Sequence, residues 1–179
     1  MSRFSKAVII LLLLLGVGYY WLLVNAGPGD APTRTFDLAE IRKQADVLAG
    51  EKPTALEYTT VATRDVPGAA LAAGTGLRMV QSGVIVWHAV TPTGGIVIDS
   101  GLSEADAKEL DFSGYDNAAA TLAGQWMENA KLIVFTHDHI DHVGGFLDYP
   151  KFASLAKKAI VSPDLARGMT SLWRANAGQ

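Results

Sequence analysis

The stretch Thr136-His137-Asp138-His139-Ile140-Asp141-His142-Val143-Gly144-Gly145 decides how this chain folds. It gathers three of the four histidines of the 179-residue chain, with two aspartates, into one segment of pattern H-x-H-x-D-H. Imidazole nitrogens and carboxylate oxygens suit Zn²⁺, with Fe and Mn as second choices. Neither core packing nor a solvated surface calls for such clustering. A metal site is therefore expected, with His137, His139, Asp141 and His142 as its ligands.

The flanking sequence supports this. Leu132-Ile133-Val134-Phe135 is a short, apolar, partly β-branched run that predicts a buried strand. The histidines begin where that strand ends. His137 and His139 are two apart, so in extended backbone they point the same way. Asp141 and His142 are adjacent and are free to face another side. One pair then holds one ion and the other pair a second beside it. Two ions about 3.5–4 Å apart form a clamp for hydrolysis. Gly144 and Gly145 are expected to let the backbone turn tightly past them.

In these residues the chain resembles the metallo-β-lactamase-fold hydrolase superfamily, whose H-x-H-x-D-H signature His137, His139, Asp141 and His142 match position by position. A second match is Ile96-Val97-Ile98-Asp99-Ser100-Gly101, similar to that family's strand ending in Asp-(Thr/Ser)-Gly. Together the matches cover roughly residues 76–164. The resemblance implies an α/β (α+β) fold, the αββα sandwich, of which this chain supplies the N-terminal half or slightly more. It also implies two metal ions, usually zinc, and attack by a metal-bound hydroxide. The substrate would be a small ester, lactone, β-lactam or phosphodiester. Asp99 would support the metal loop from behind by hydrogen bonds, and Asp141 would double as the catalytic residue that orients the water or takes up a proton. Asp138 occupies a variable position and is expected to stabilise the loop or face solvent.

The chain departs from the family pattern after His142. A complete site takes a further histidine, a bridging aspartate and a last histidine from later strand ends. Residues 143–179 contain no histidine, and their only aspartates are Asp148 and Asp164. Catalytic zinc normally has three protein ligands plus water, so each pair is one ligand short. Two expectations stand side by side. The chain is the N-terminal part of a longer hydrolase, or it is a membrane-tethered, non-catalytic metal-binding or interaction module. His88, the remaining histidine, lies in the apolar run 84–90 and is expected to be a strand residue with a local hydrogen-bond partner.

Length and composition fit one domain with an N-terminal appendage: a membrane segment at 1–26, a linker at 27–35 and the metal-binding domain at 36–179. A net charge of −3 gives no sign of the basic face that a nucleic-acid partner requires. The absence of cysteine excludes disulfides, thiolate ligands and a cysteine nucleophile. Oligomeric state leaves no mark.

Residues 7–24 form an uninterrupted apolar run, preceded by Arg3 and Lys6. A hydrocarbon layer takes about 20 helical residues to cross. Tyr19, Tyr20 and Trp21 would sit near the far interface, and the basic flank predicts the N-terminus inside. An uncleaved inner-membrane anchor is expected, with the domain on the periplasmic side. Cleavage after Ala26 is the alternative, although a signal core usually has only about 7–15 residues.

Further along, Gly27, Pro28, Gly29 and Pro32 mark the linker. Asp37 and Glu40 predict a capped helix ending at Gly50 and packed on the domain. Strands are predicted at 54–61, 78–80, 84–90 and 95–99, with turns at Gln81-Ser82-Gly83 and Thr91-Pro92-Thr93-Gly94. Residues 66–76 read as a loop. Ser103 with Asp106 caps one helix, and Asp116 opens another with Ala119, Leu122, Ala123, Trp126 and Met127 on its core face. A helix at 150–158, a strand at 159–161 and a helix begun by Ser162-Pro163 complete the order.

Overall fold

The computed structural model describes residues 1–25, 35–47 and 49–176. Most of the expected linker, and Ala26 before the candidate cleavage point, lie outside the described residues. The chain divides into two compact units: Met1–Leu48 with Asp65–Ser82, and Ala49–Arg64 with Gly83–Gln179.

In the first unit, α1 spans Arg3–Tyr19 and continues into a widened turn at Tyr20–Val24. That turn closes with the Asn25 N–H donating to the Tyr20 carbonyl at 2.8 Å. No residue of α1 is buried. Helix α2, Leu38–Val47, starts where Asp37 Oδ1 accepts the Ala39 and Glu40 N–H groups, but none of its residues is buried. Leu38 and Ile41 stand exposed among Glu40, Arg42, Lys43 and Gln44, an apolar stripe too thin to hold a helix down.

Strand β1, Ala55–Pro67, runs into a four-residue helix α3, Gly68–Leu71, and the chain returns as β2, Met79–Val90. The turn expected at Gln81-Ser82-Gly83 is absent, since these residues continue β2. The reversal lies at the tip of the hairpin, where Gly74 and Gly76 take φ of 84° and 72°. Left-handed backbone is what a tight reversal needs.

The second unit is built on a six-stranded mixed sheet in the order β4-β1-β2-β3-β5-β6. Its other strands are β3 (Ile96–Ile98), β4 (Gly114–Tyr115), β5 (Leu132–Val134) and β6 (Ala159–Ile160). β2 and β3 pair antiparallel, with His88 opposite Val97. β3, β5 and β6 are parallel, with Val97 beside Ile133 and Ile133 beside Ala159. β4, only two residues long, pairs with β1 and was too short to leave a period in the sequence.

Helices α4 (Glu104–Glu109) and α5 (Asn117–Asn129) lie in sequence between β3 and β5. The Ser103–Asp106 capping box forms reciprocally, and Asp116 caps α5 through Ala118 and Ala119. At the far end of α5, Lys158 Nζ donates to the Met127 and Glu128 carbonyls, a cation on orphan helix-end acceptors. Val61, Val86, Val97, Leu102, Met127 and Ile133 are fully buried and form the centre of the core. Leu122, expected in that core, is exposed; Gly124 and Met127 take the inner face of α5 instead. After β5 come α6 (Ile140–Leu147), α7 (Phe152–Leu155) and, beyond β6, α8 (Pro163–Asn176).

His88 behaves as a strand residue. Its Nδ1 lies 3.2 Å from Glu57 Oε2, its Nε2 lies 3.3 Å from the Gly94 carbonyl, and its ring packs on Trp126.

Candidate metal centre

Because β3 and β5 run parallel, their carboxyl ends emerge at the same edge of the sheet. Loops at such an edge are where α/β sheets build their sites. β3 delivers Asp99-Ser100-Gly101 there, and β5 delivers the segment from Thr136 to His139. His139 is the N-cap residue of α6, and Asp141 and His142 lie in its first turn.

Asp99 is buried and adopts a φ of 63°, a left-handed conformation uncommon outside glycine. Asp tolerates it better than most residues. Its N–H donates to the Val134 carbonyl at 2.9 Å, which fixes the bend. The carboxylate then turns toward the β5 loop. Oδ1 accepts the Thr136 N–H at 2.8 Å, and the Thr136 hydroxyl lies 3.1 and 3.0 Å from the two oxygens. Oδ2 lies 2.9 Å from His142 Nδ1.

In neutral imidazole rings these contacts assign two tautomers. A carboxylate only accepts, so His142 Nδ1 carries the hydrogen and Nε2 keeps its lone pair. The Thr136 hydroxyl donates to Asp99, so it accepts from His137 Nδ1 at 3.0 Å. His137 Nε2 is then also left with a free lone pair. The ring of His137 packs against both His139 and His142, with centroids 4.4 and 4.0 Å away. Asp141 Oδ2 lies 3.6 Å from His142 Nε2. All four expected residues thus gather at one strand end. Two histidines with their Nε2 lone pairs free, a third beside them and an adjacent carboxylate suit zinc in the kind of donor offered. Among the described residues, however, no group of three or more His, Asp or Glu side chains is arranged to hold an ion. The His137 and His139 rings meet edge to face, and those of His137 and His142 are tilted by 49°.

The two glycines do not make the turn expected of them; both lie within α6. They permit close approach instead. A Cβ on Gly145 would overlap the Ser100 carbonyl oxygen, and one on Gly144 would meet Asp106 Oδ2 at 2.7 Å. The Gly145 N–H donates to the Gly101 carbonyl at 3.0 Å. Ser100 completes the seam: its N–H and hydroxyl both donate to the His142 carbonyl, and its Oγ accepts the Phe146 N–H.

The sequence profile of the metallo-beta-lactamase superfamily matches residues 75–174, more than half of the chain. The chain belongs to that superfamily. Among solved structures, this member of the superfamily is similar to a quorum-quenching N-acyl homoserine lactone lactonase at 18% identity and a TM-score of 0.41, covering 52% of this chain and 41% of that one. A probable metal-dependent hydrolase from Staphylococcus aureus matches at 16% identity and 0.49, covering 69% and 52%. The Rm3 metallo-beta-lactamase matches at 24% identity and 0.27, covering 65% and 35%. The chain therefore spans about half, or less, of the length of these proteins. A comparison with curated proteins found no match.

Motif reasoning gave no role to Thr136 or Ser100, which the structure places at the candidate site. Their hydroxyls couple the two strand ends, and their positions beside His137 and Asp99 were the available signal. Asp138 lies against α8, where a Cβ on Gly168 would collide with its carboxylate.

Behind α6, burial raises the Asp106 carboxyl above the ordinary aspartate range. Its bonds from Ser103 pull the other way. Tyr149, desolvated and donating to Glu128 at 2.8 Å, has its phenol pushed up to about 12.

Proposed function

We propose that this chain is the metal-binding portion of a metal-dependent hydrolase, probing a small carbonyl or phosphorus ester outside the cytoplasm. The observation that carries it is the pair of tautomers set by Asp99 and Thr136, which leaves His137 and His142 each presenting a free Nε2. In this reading His137 and His139 hold one divalent ion, zinc by donor type, and Asp141 with His142 hold a second. Bound there, such ions act as Lewis acids and lower the pKa of a water ligand to about 7. Asp99 holds the His142 ring in place and raises its basicity as a ligand. Asp141, one-third exposed beside that ring, would orient a water at such a centre and accept its proton on a carboxylate oxygen.

The location rests on α1. The helical stretch Arg3–Val24 has 22 residues, contains an 18-residue window of mean hydropathy 2.5 with no buried portion, and is long and apolar enough to cross a membrane. Arg3 and Lys6 favour an N-terminus inside by the basic-flank rule. The domain then lies on the periplasmic side in a cell with an outer membrane; a protein cut after Ala26 would be secreted there. That exposure favours small, diffusible substrates: a lactone, a β-lactam, an ester or a phosphodiester.

The test is metal content and turnover together. Full-length protein in detergent is loaded with zinc, desalted and assayed on nitrocefin, a homoserine lactone and bis-p-nitrophenyl phosphate. His137→Ala and His139→Ala should lose metal and turnover in step, and metal retained in both variants would remove the assignment. A second reading has support of its own, since each proposed pair supplies two donors where catalytic zinc normally takes three from protein. Under it the module binds metal without turning over any substrate, so stoichiometric zinc with no hydrolysis would favour a tethered binding module.

A further inference from the structure

The tip of the β1–β2 hairpin has no role in the proposed chemistry, yet within the first unit it is joined to the end of the apolar helix. The Gly74 N–H donates to the Leu22 carbonyl at 2.7 Å. That carbonyl is one of the last in the helical stretch, an acceptor with no partner inside its own helix. In an apolar layer such a group is costly to leave unpaired. From Arg3 to Leu22 a helix rises about 28 Å at 1.5 Å per residue, close to the roughly 30 Å of a hydrocarbon core. The hairpin tip therefore meets α1 at the level of its aromatic end, beside Tyr20 and Trp21.

The surface of the tip suits that level. Leu71, Leu77 and Met79 are 57%, 67% and 54% exposed, with Ala69, Ala70, Ala72 and Ala73 around them. From residue 66 to residue 82 the only charged side chains are that of Arg78 and no acid. The tip also bonds its own backbone: Gly68 N–H to the Arg78 carbonyl, Ala69 N–H to that of Gly76, and Ala72 N–H to that of Gly68. The Thr75 hydroxyl donates to the Ala72 carbonyl at 2.6 Å. An exposed apolar loop with much of its polar backbone paired internally and one cation at its rim matches the boundary of an anionic bilayer.

We propose that residues 68–79 form a second membrane contact, which inserts Leu71, Leu77 and Met79 at the outer headgroup boundary with Arg78 toward anionic lipid. α1 then does not hold the protein as a free tether; the hairpin fixes the first unit against the surface. This rests on α1 spanning the membrane, and the experiment separates the two.

The chain has no cysteine, so single-cysteine labelling is clean. Full-length Trp21→Cys, Ala73→Cys, Leu77→Cys and Lys157→Cys would each carry a bimane label in phosphatidylcholine–phosphatidylglycerol vesicles with and without brominated acyl chains. The expected result is quenching at positions 21, 73 and 77 several-fold above that at 157. Arg78→Glu should then reduce quenching at 73 and 77 in anionic vesicles and leave position 21 unchanged. Quenching at 21 alone would overturn the hairpin contact and keep the anchor, as would a protein partner occupying the tip. Quenching at none of them would overturn the anchor and the contact together.

Discussion

Helices α1 and α6 each carry two glycines within an apolar sequence, and the glycines do opposite things. Around Gly16 and Gly18 in α1 nothing lies within 4 Å of where a Cβ would stand. Around Gly144 and Gly145 in α6 a Cβ would strike Asp106 and the Ser100 backbone. The composition of the two helices is alike; their partners are not. In α6 glycine is a spacing device that lets a helix lie on a strand end, so the ligands of its first turn meet the carboxylate of Asp99. In α1 it costs helix propensity and approaches no neighbour among the described residues.

The comparison is broken most directly by Gly145→Ala. The added methyl meets a backbone oxygen, which cannot swing aside as a side chain would. Overpacking of this kind costs about 3 kcal/mol, against the roughly 1 kcal/mol that alanine gains in a helix. Urea unfolding of the full chain in detergent, followed by tryptophan fluorescence, should show a net loss of about 2 kcal/mol. A variant as stable as the parent would mean that α6 does not need its close approach.

Asp99→Asn sharpens the same contrast without adding bulk. Asn tolerates left-handed backbone as Asp does, so the bend at φ 63° survives. Its amide can still accept the Thr136 N–H, but then it presents NH₂ to His142 Nδ1. The ring must move its hydrogen to Nε2 to accept that bond, and the proposed ligand atom is lost. Loss of such a supporting partner weakens metal affinity by about tenfold or more. Zinc titration should show that drop, and ring ¹⁵N shifts should report the changed tautomer. Unchanged zinc affinity would reduce Asp99 to a packing residue.

How much of this was legible follows the range of each signal. The caps at Ser103, Asp116 and Ser162 and the run 132–134 were readable because their causes lie within three or four residues. The family and the gathering of His137, His139, Asp141 and His142 were readable because the spacing itself carries the chemistry. The use of Gly144 and Gly145 was not, since the atoms they approach belong to Ser100 and Asp106, about forty residues away in sequence. The exposed Leu122 failed for a related reason: periodicity proposes a buried face but does not say whether a partner covers it.

A smaller effect concerns Asp106, which packs against Gly144 from behind. Its carboxyl is raised chiefly by burial, with Asp148 and Glu109 adding repulsion. The folded state therefore holds a proton that the unfolded chain releases at the ordinary aspartate value of about 3.9. Below that value Asp106 contributes its full stability, and the contribution is lost as pH rises through the raised folded value. Asp106→Asn keeps an acceptor for the Ser103 bonds and removes the titration. Its stability curve should be flatter above about pH 4, with the variant gaining on the parent as pH rises. A parent curve that climbs through the same window would contradict the burial argument.

The smallest effect is expected in α1, and it completes the comparison. Gly16→Ala and Gly18→Ala meet no atom among the described residues, so no clash opposes the propensity gain. In a bilayer the neighbours of these positions are lipid chains, which make room for a methyl group. Unfolding of the domain should shift by no more than about 0.5 kcal/mol, the usual range for a surface change away from any special contact. A large loss in either variant would place a second helix against that face, either another copy of α1 or a partner span. It would then assign to Gly16 and Gly18 the same spacing role that Gly144 and Gly145 play within the domain.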